Sequence, residues 1–177
     1  MIEFEKADHQ KYSANNESLE TLYLNAFTKG VSAQHITPNE AENYLASLFA
    51  NGYAIFGFNQ QKLVAALIAT PLSFDEDCPE QIKDKYKNNE TLYIAEVLVD
   101  QDFRGKGLGN QLMQNFEKKL DSNIKNIVLR VWNKNEAAVK LYEKAGYKTC
   151  GNIIQEKTRP NSTEKFTMHK NYMLKSL

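Results

Sequence analysis

Residues 99–110 read VDQDFRGKGLGN and place three of the chain's eight glycines within five positions. An apolar run precedes them at residues 92–99, and apolar residues at helical spacing follow them: Leu108, Leu112, Met113, Phe116 and Leu120. This pattern predicts a turn between a strand and a helix. Glycine leaves backbone N–H groups accessible, and the first N–H groups of a helix lack partners at the positive end of the helix dipole. We therefore predict an anion site here, with a pyrophosphate as the anion.

The composition excludes several classes of protein. The 177 residues carry 22 basic and 22 acidic side chains, so no global field draws the chain to nucleic acid or to an anionic membrane. Cys78 and Cys150 lie far apart without a CxxC pattern or a nearby histidine pair, which argues against a disulfide framework and a zinc site. Residues 1–10 lack the apolar core of a secretion signal. We expect a cytoplasmic protein without a metal site, folded as one domain over residues 1–177.

Hydrophobic periodicity predicts helices alternating with strands. Helices are predicted at residues 19–27 and at residues 135–144. A further helix should begin at a capping box formed by Thr37, Pro38 and Glu40, and another should follow the glycine turn. The strands are predicted at residues 53–58, 63–70, 92–99, 127–132, 147–154 and 166–174. The strands on either side of the glycine turn and its helix should be parallel, joined by a right-handed crossover. Residues 71–90 are too polar for a core and are predicted to be a long excursion.

Three alternatives to a pyrophosphate loop fit RGKGLG, residues 104–109, less well. A Walker A loop needs Ser or Thr after its Gly-Lys pair, and none follows here. A dinucleotide fingerprint needs its third glycine one place later, where this chain has Asn110, and it should open the first strand of a fold. A tight turn without a ligand does not account for three alternating glycines flanked by Arg104 and Lys106. A bound pyrophosphate accounts for all of these features.

Two stretches resemble one family. Arg104-Gly105-Lys106-Gly107-Leu108-Gly109 is similar to the pyrophosphate loop of the GNAT superfamily of acyl-CoA-dependent N-acetyltransferases. The stretch NEAAVKLYEKAGY, residues 135–147, resembles the family's Asn-x-x-Ala-x-x-Leu-Tyr-x-x-x-Gly-Phe pattern, with Tyr147 in place of the usual Phe. One departure is Gln101, where many members have proline.

The resemblance implies a single-domain α/β GNAT fold. Its sheet is mixed and mainly antiparallel, with one parallel strand pair joined by a βαβ crossover and helices on both faces. It also implies that acetyl-CoA lies along the strand at residues 92–99. Its pyrophosphate would receive the N–H groups of Arg104, Gly105, Lys106, Gly107, Leu108 and Gly109, with Lys106 adding a mobile positive charge. The thioester carbonyl would be polarised by a backbone N–H near Val97, Leu98 and Val99.

Glu96 is the only charged residue in the run LYIAEVLV, residues 92–99. A carboxylate among apolar residues either faces solvent at the end of a sheet, forms a salt bridge or lines a polar slot. In a partly buried slot its pKa would rise toward neutrality, which suits a general base acting on an amine. Glu96 is therefore our candidate base.

Tyr142 and Asn135 each have a structural and a functional interpretation. Tyr142 lies on the stripe Ala138, Leu141, Tyr142 and Ala145, so periodicity alone predicts a core tyrosine. The resemblance implies instead that Tyr142 donates a proton to the leaving thiolate. Asn135 is either the N-cap of its helix or a contact to the cofactor arm.

The acceptor is the least defined part of the prediction. The resemblance implies a primary amine, on a small molecule or on a peptide, in a pocket shaped by residues 29–37, 71–90 and 155–165. His35, in the first of these loops, is a candidate substrate contact. Whether the protein forms a homodimer is left open by the sequence. The competing hypotheses are a CoA-binding sensor that has lost catalysis and a phosphate-binding module for another nucleotide.

Overall fold

A computed structural model describes residues 1–177, which form a seven-stranded sheet with helices on both faces. The strands are β1 (Ile2–Ala7), β2 (Tyr53–Asn59), β3 (Lys62–Pro71), β4 (Thr91–Val99), β5 (Asn126–Trp132), β6 (Lys148–Thr158) and β7 (Lys165–Ser176). The helices are α1 (His9–Ser13), α2 (Asn16–Phe27), α3 (Pro38–Asn51), α4 (Glu80–Lys85), α5 (Leu108–Glu117) and α6 (Glu136–Lys144). The strand order is β1-β2-β3-β4-β5-β7-β6. The predicted fold class, a mixed and mainly antiparallel α/β sheet, is confirmed.

Local signals define the helix ends that position the site. The predicted capping box of α3 is present: Glu40 N–H donates to Thr37 Oγ1 at 3.2 Å, and Thr37 N–H donates to Glu40 Oε2 at 2.8 Å. Helix α6 ends before Gly146, whose φ of +94° favours glycine. These two helices lie on opposite faces of the sheet, so they reach the middle strands from both sides.

Strands β4 and β5 form the parallel pair, and they pair over only part of their length. The register runs from Thr91 opposite Asn126 to Ile94 opposite Leu129. Beyond Ile94, β4 continues to Val99 without a β5 partner while it stays paired with β3. The two strands therefore diverge at their carboxyl ends, which leaves the β5-facing edge of residues 95–99 free.

The core is divided by the sheet. Helices α5 and α6 cover one cluster, which includes Leu112, Phe116 and Tyr142, and helices α1 to α3 cover the other. A third, small cluster lies under residues 71–90 and includes Leu72 and Ile82. The prediction that residues 71–90 are too polar for a core is therefore wrong in part, because this segment buries apolar side chains against β4, β5 and β7.

The terminal hairpin is longer than predicted. Strands β6 and β7 extend to Thr158 and from Lys165, so the predicted loop at residues 155–165 shortens to residues 159–164. Strand β7 lies between β5 and β6. This order places one face of both β6 and β7 beside the carboxyl end of β5.

Candidate active site

The glycine corner exposes a row of unbonded backbone donors. None of the N–H groups of residues 105–110 makes a protein hydrogen bond of normal geometry, and the first to do so is that of Gln111, to Gly107 O at 3.1 Å. Gly107 is the N-cap of α5. Six consecutive donors at the positive end of a ten-residue helix suit an anion with several oxygens, such as a pyrophosphate.

Glycine is required at the three positions of this corner for two different physical reasons. Gly105 and Gly107 have φ of +72° and +78°, and a Cβ at either would meet no atom within 4 Å. They therefore allow a left-handed turn that faces open space. A Cβ on Gly109 would lie 2.9 Å from Leu141 Cδ2. Gly109 is needed where α5 packs closely against α6.

The two cationic side chains of the corner are tied to its backbone. Arg104 Nε donates to Val99 O at 3.0 Å, and Lys106 Nζ donates to Asp102 O at 2.8 Å. Lys106 is thus held across the corner in this structure, whereas the sequence predicts a mobile charge. Both cations remain beside the free N–H groups and add to the positive potential there.

Glu96 lies on β4 two positions after Ile94, the last residue that pairs with β5. Its side chain is buried, with 9% of the residue exposed, and Tyr44 of α3 donates a hydrogen bond to its Oε1 at 2.9 Å. Burial raises the pKa of Glu96 to about 7, although the Tyr44 hydrogen bond and the charges of Lys170, Arg130 and Lys157 act to lower it. A carboxyl group with this pKa exchanges a proton readily near neutral pH.

A β-bulge aims Glu96 at this position. Ile68 pairs with Glu96 and Ala69 pairs with Ile94, so Ala95 has no partner on β3. The extra residue shifts the alternation of β4, and Glu96 points to the α3 face while Ile94 points to the α5 face. Without the bulge, Glu96 would enter the apolar cluster under α5.

Tyr142 of α6 approaches from the other face. The residue is 8% exposed, and its hydroxyl makes no hydrogen bond to a protein group. Burial raises its pKa, and the charge of Glu96 raises it further. Tyr142 packs into the apolar cluster that contains Ile94 and Leu129, the last paired residues of β4 and β5. Periodicity correctly predicts a buried tyrosine, and the free hydroxyl leaves it able to donate a proton.

Asn135 and His35 have contacts of their own. Asn135 Oδ1 accepts from Ala138 N–H at 3.3 Å, so Asn135 caps α6 as one of its two predicted roles requires. The side chain of His35 is exposed. The backbone N–H of His35 donates to Thr158 O at 2.8 Å and ties residues 29–37 to β6. The structure does not bring His35 to Glu96.

Several polar residues near Glu96 are not predicted from the sequence. Arg130 of β5 donates to Asp75 and Asp77 at 3.1 Å each, and Tyr172 donates to Asp75 Oδ2 at 2.7 Å. Arg130 lies alone in the apolar run NIVLRVW, so the reasoning that selects Glu96 would have selected it too. Tyr44 carries no such signal, because it lies on the apolar stripe of its helix.

A cavity of about 610 Å³ opens beside this network. Tyr44, Tyr93 and Arg130 line it together with Asp75 and Asp77 of the segment at residues 71–90. The sequence leaves open whether this segment covers a site. In the structure it forms one wall of the cavity, and Tyr44, which donates to Glu96, lies on the cavity lining as well.

Comparison with protein families agrees with this geometry. A family model described as the acetyltransferase (GNAT) family matches residues 16–147. The chain belongs to this family. It is an acetyl-CoA-dependent N-acetyltransferase, and acetyl-CoA is its co-substrate.

Solved structures share the GNAT fold over the whole chain. An N-acetyltransferase from Staphylococcus aureus Mu50 has a TM-score of 0.72 at 16% identity, over 99% of this chain and 98% of that one. The acetyltransferase yncA from Salmonella typhimurium, solved with its cofactor acetyl-CoA, has a TM-score of 0.71 at 14% identity, over 100% and 94%. A ribosomal-protein-alanine N-acetyltransferase from Brucella melitensis has a TM-score of 0.70 at 14% identity, over 100% and 99%. At these identities the likeness establishes the fold.

The residues present fit an acyl-CoA. The free donors of residues 105–110 suit its pyrophosphate, and the open edge of residues 95–99 offers a strand backbone to its pantetheine arm. No group of three or more His, Cys, Asp or Glu side chains is arranged to hold a metal ion. None of the helices has the length and apolarity needed to cross a membrane.

Replacing Gly107 by Val should abolish the binding of CoA. The new side chain strains a left-handed backbone and enters the space in front of the free donors. CoA at about 100 times its Kd should stabilise the native protein by roughly 2.7 kcal/mol, measured as a rise in Tm, and the variant should lose this rise.

Gly30→Val is the matched control for this substitution. Gly30 has φ of +77° with no atom within 4 Å of a Cβ, so the backbone strain is similar, but it lies in the loop between α2 and α3. This variant should keep the full rise in Tm with CoA. Equal stabilisation of the two variants by CoA would contradict a phosphate site at Gly107.

Proposed function

We propose that this protein transfers the acetyl group of acetyl-CoA to a primary amine, with Glu96 as general base and Tyr142 as general acid. The observation that supports this best is the position of the two residues at the divergence of β4 and β5. Glu96 follows the last paired residue of β4 and faces α3, and Tyr142 packs from the opposite face into the cluster that contains Ile94 and Leu129. Acetyl-CoA supplies an activated acyl group as a thioester. The roles that remain are binding, orientation and two proton transfers, and residues of this chain fit each of them.

Glu96 is suited to take the proton that the amine nitrogen gives up as the new C–N bond forms. A pKa of about 7 keeps a large fraction of this carboxyl group ionised at neutral pH, and buried surroundings keep it a competent acceptor. Tyr44 fixes the orientation of the carboxylate through its hydrogen bond to Oε1.

Tyr142 is suited to give its proton to the sulfur as the C–S bond breaks. Its raised pKa keeps the hydroxyl protonated at neutral pH, and no protein group competes for the hydrogen. Solvent then removes a proton from Glu96 and returns one to Tyr142, so the reaction leaves both residues unchanged. A free backbone N–H among Val97, Leu98 and Val99 would polarise the thioester carbonyl.

A small-molecule amine is the acceptor that we favour, and an amino group on a peptide or protein is the second candidate. The first fits the cavity of about 610 Å³ that is lined by Tyr44, the hydrogen-bond partner of Glu96. The second is favoured by the ribosomal-protein-alanine N-acetyltransferase that shares the fold. Free-thiol release from acetyl-CoA across polyamines, amino acids, aminoglycosides and short peptides tests the activity and separates these classes. CoA binding without thiol release from any amine would indicate a sensor instead.

The acidic limb of the pH profile should depend on Tyr44. We expect kcat/KM to rise with pH through about 7, because Glu96 must be ionised to accept a proton. Tyr44→Phe removes a hydrogen bond that favours the ionised form, so the pKa of Glu96 should rise further and the limb should move to higher pH by about one pH unit. The rate well above the limb should change little.

Ser47→Ala is the control for Tyr44→Phe. Ser47 lies one turn along α3, lines the same cavity, and donates to the carbonyl of Tyr44 rather than to Glu96. Its removal should leave the limb in place. A limb at the same pH in the wild type and in both variants would contradict the assignment of this ionisation to Glu96.

A further inference from the structure

Two lysines beside the proposed site are partly buried and form no ion pair with an acidic side chain. Five lysines of the chain are partly buried: Lys11, Lys83, Lys157, Lys170 and Lys175. Lys11, Lys83 and Lys175 each form an ion pair with a glutamate. The ammonium groups of Lys157 and Lys170 make neither an ion pair nor a hydrogen bond with the protein. A partly buried ammonium group loses hydration, so one that is left unpaired needs a physical reason.

These two cations face the polar network around Glu96. Burial lowers the pKa of Lys170 to about 8, and the charges of Arg130 and Lys157 lower it further, while that of Glu96 raises it. Burial and the charge of Arg130 also lower the pKa of Lys157. Lys170 of β7 is the cross-strand partner of Ile153, and Lys157 lies four positions after Ile153 on β6, so both lysines stand on the same face of the hairpin. Lys170 is still mainly a cation at pH 7.

The charges around these two lysines leave room for one anion once Glu96 is protonated. Asp75 and Asp77 contact Arg130 directly. Asp77 and Glu96 are the carboxylates whose charges act on Lys157 and Lys170, and neither forms an ion pair with them. With Glu96 ionised, three cations face three carboxylates. Glu96 has to accept a proton in the proposed reaction, and three cations then face only two carboxylates.

The same surface holds a further unpaired polar atom. Gln155 of β6 donates through Nε2 to Asp77 at 2.6 Å, but its Oε1 is buried without a partner. Lys170 is the cross-strand partner of Trp132 on β5 and of Ile153 on β6, so its side chain shares a face with that of Trp132. Two free cations and a free acceptor oxygen thus lie on the face towards which Glu96 points.

We propose that Lys157 and Lys170 bind a carboxylate of the acceptor, so that the preferred substrate is a small amine that also carries a carboxylate, an amino acid in the broad sense. The amine lies at Glu96 and the carboxylate lies at the two ammonium groups, over the end of β5 and the adjoining β6–β7 hairpin. This inference rests on the proposed function and specifies its acceptor. Charge-assisted contacts of this kind discriminate strongly against a neutral analogue, because the analogue leaves the buried charges unpaired.

The test compares amino acids with their own amides. Initial rates of thiol release from acetyl-CoA are measured for glycine, β-alanine, γ-aminobutyrate and the common L-amino acids, each against its amide. For the best pair, kcat/KM should be about tenfold or more higher for the acid. The variants are measured well above their acidic limbs, where Glu96 stays ionised without the charge of either lysine. Under these conditions Lys170→Met and Lys157→Met should remove this preference by lowering the rate with the acid only, and Lys170→Arg should retain part of it. Unchanged Tm values confirm that the variants fold.

Lys165→Met is the matched control on the same hairpin. Lys165 begins β7, pairs with Glu156, and has 63% of its side chain exposed. Its removal should leave the preference intact. Equal rates for acids and amides, or a loss of both classes together in the Lys157 and Lys170 variants, would overturn the inference. The second result would mean that the lysines act only on the protonation of Glu96.

A binding measurement separates this inference from the proposed function. Trp132 is the single tryptophan of the chain and the cross-strand partner of Lys170, so its fluorescence should report a nearby ligand. N-acetyl-β-alanine should change this fluorescence in the CoA complex, and its amide should not. Acetylation of polyamines or peptides with no acid preference would refute the inference and leave the proposed function standing. Selective binding of the acid without turnover of any amine would refute the proposed function and leave the carboxylate site standing.

Discussion

Glu96→Gln should lower kcat/KM at pH 7 by about 10² or more and abolish the acidic limb of the pH profile. Glutamine keeps the shape of the side chain and can still accept the hydrogen bond from Tyr44, but it cannot take a proton. The affinity for CoA should be unchanged, because the donors of residues 105–110 are not altered. Steady-state rates between pH 5.5 and 9, with CoA affinity from the rise in Tm, measure both effects.

The same substitution should also stabilise the protein above neutral pH. The pKa of Glu96 is raised to about 7 on folding, so the unfolded chain ionises first as the pH rises. The resulting loss of stability begins near the unfolded pKa, about 4.3, and is complete above about pH 7. Its full size is up to about 4 kcal/mol, from the difference of the two pKa values. In urea unfolding at pH 5 and pH 8, the free energy of unfolding of Glu96→Gln should therefore exceed that of the wild type only at pH 8.

Glu143→Gln provides the control, because Glu143 is exposed on α6 and forms no ion pair. It should change neither the rate nor the pH dependence of stability. If Glu96→Gln kept the wild-type rate and limb, the base would have to be water or the ionisation of the amine itself. If the stability difference between the two pH values were also absent, Glu96 would not be a buried, perturbed carboxyl group at all.

The parts of the fold that follow from the sequence are those that depend on neighbouring residues. The capping box at Thr37 and Glu40 and the helix stop at Gly146 are confirmed, since caps and turns are decided within a few positions. The glycine corner is confirmed for the same reason. The parallel strand pair is confirmed because a strand, a helix and a strand in succession form a crossover. The prediction for residues 71–90 is wrong in part, because Leu72 and Ile82 find their apolar partners on strands that are distant in sequence.

The site can be predicted only where one residue contrasts with its surroundings. Glu96 stands out because it is a lone charge in an apolar strand, but the bulge at Ala95 that aims it at α3 has no periodic signal. Lys157 and Lys170 do not stand out, because lysines at alternate positions of a polar hairpin are typical of a solvated face. Their importance depends on the insertion of β7 between β5 and β6, a pairing that local sequence does not determine.

Tyr142→Phe should lower the rate of acetyl transfer by about 10² or more and leave stability and CoA affinity almost unchanged. Phenylalanine keeps the ring and therefore the packing of α6, and it removes only the hydroxyl. That hydroxyl bonds to no protein group, so its loss should not destabilise the fold. A general acid, by contrast, protonates the sulfur as it departs, so its loss should lower the rate of the chemical step alone.

Tyr147→Phe is the matched control. The rings of Tyr142 and Tyr147 lie 6.1 Å apart, and the hydroxyl of Tyr147 is also buried without a partner. Removal of an unsatisfied buried hydroxyl should raise stability, by about 1 kcal/mol, and leave the rate unchanged. Slow product release could hide a defect in chemistry, so both variants require single-turnover measurements with acetyl-CoA and the best acceptor. Equal single-turnover rates for the wild type and Tyr142→Phe would mean that water or another group protonates the thiolate, and Tyr142 would then be a core residue of α6.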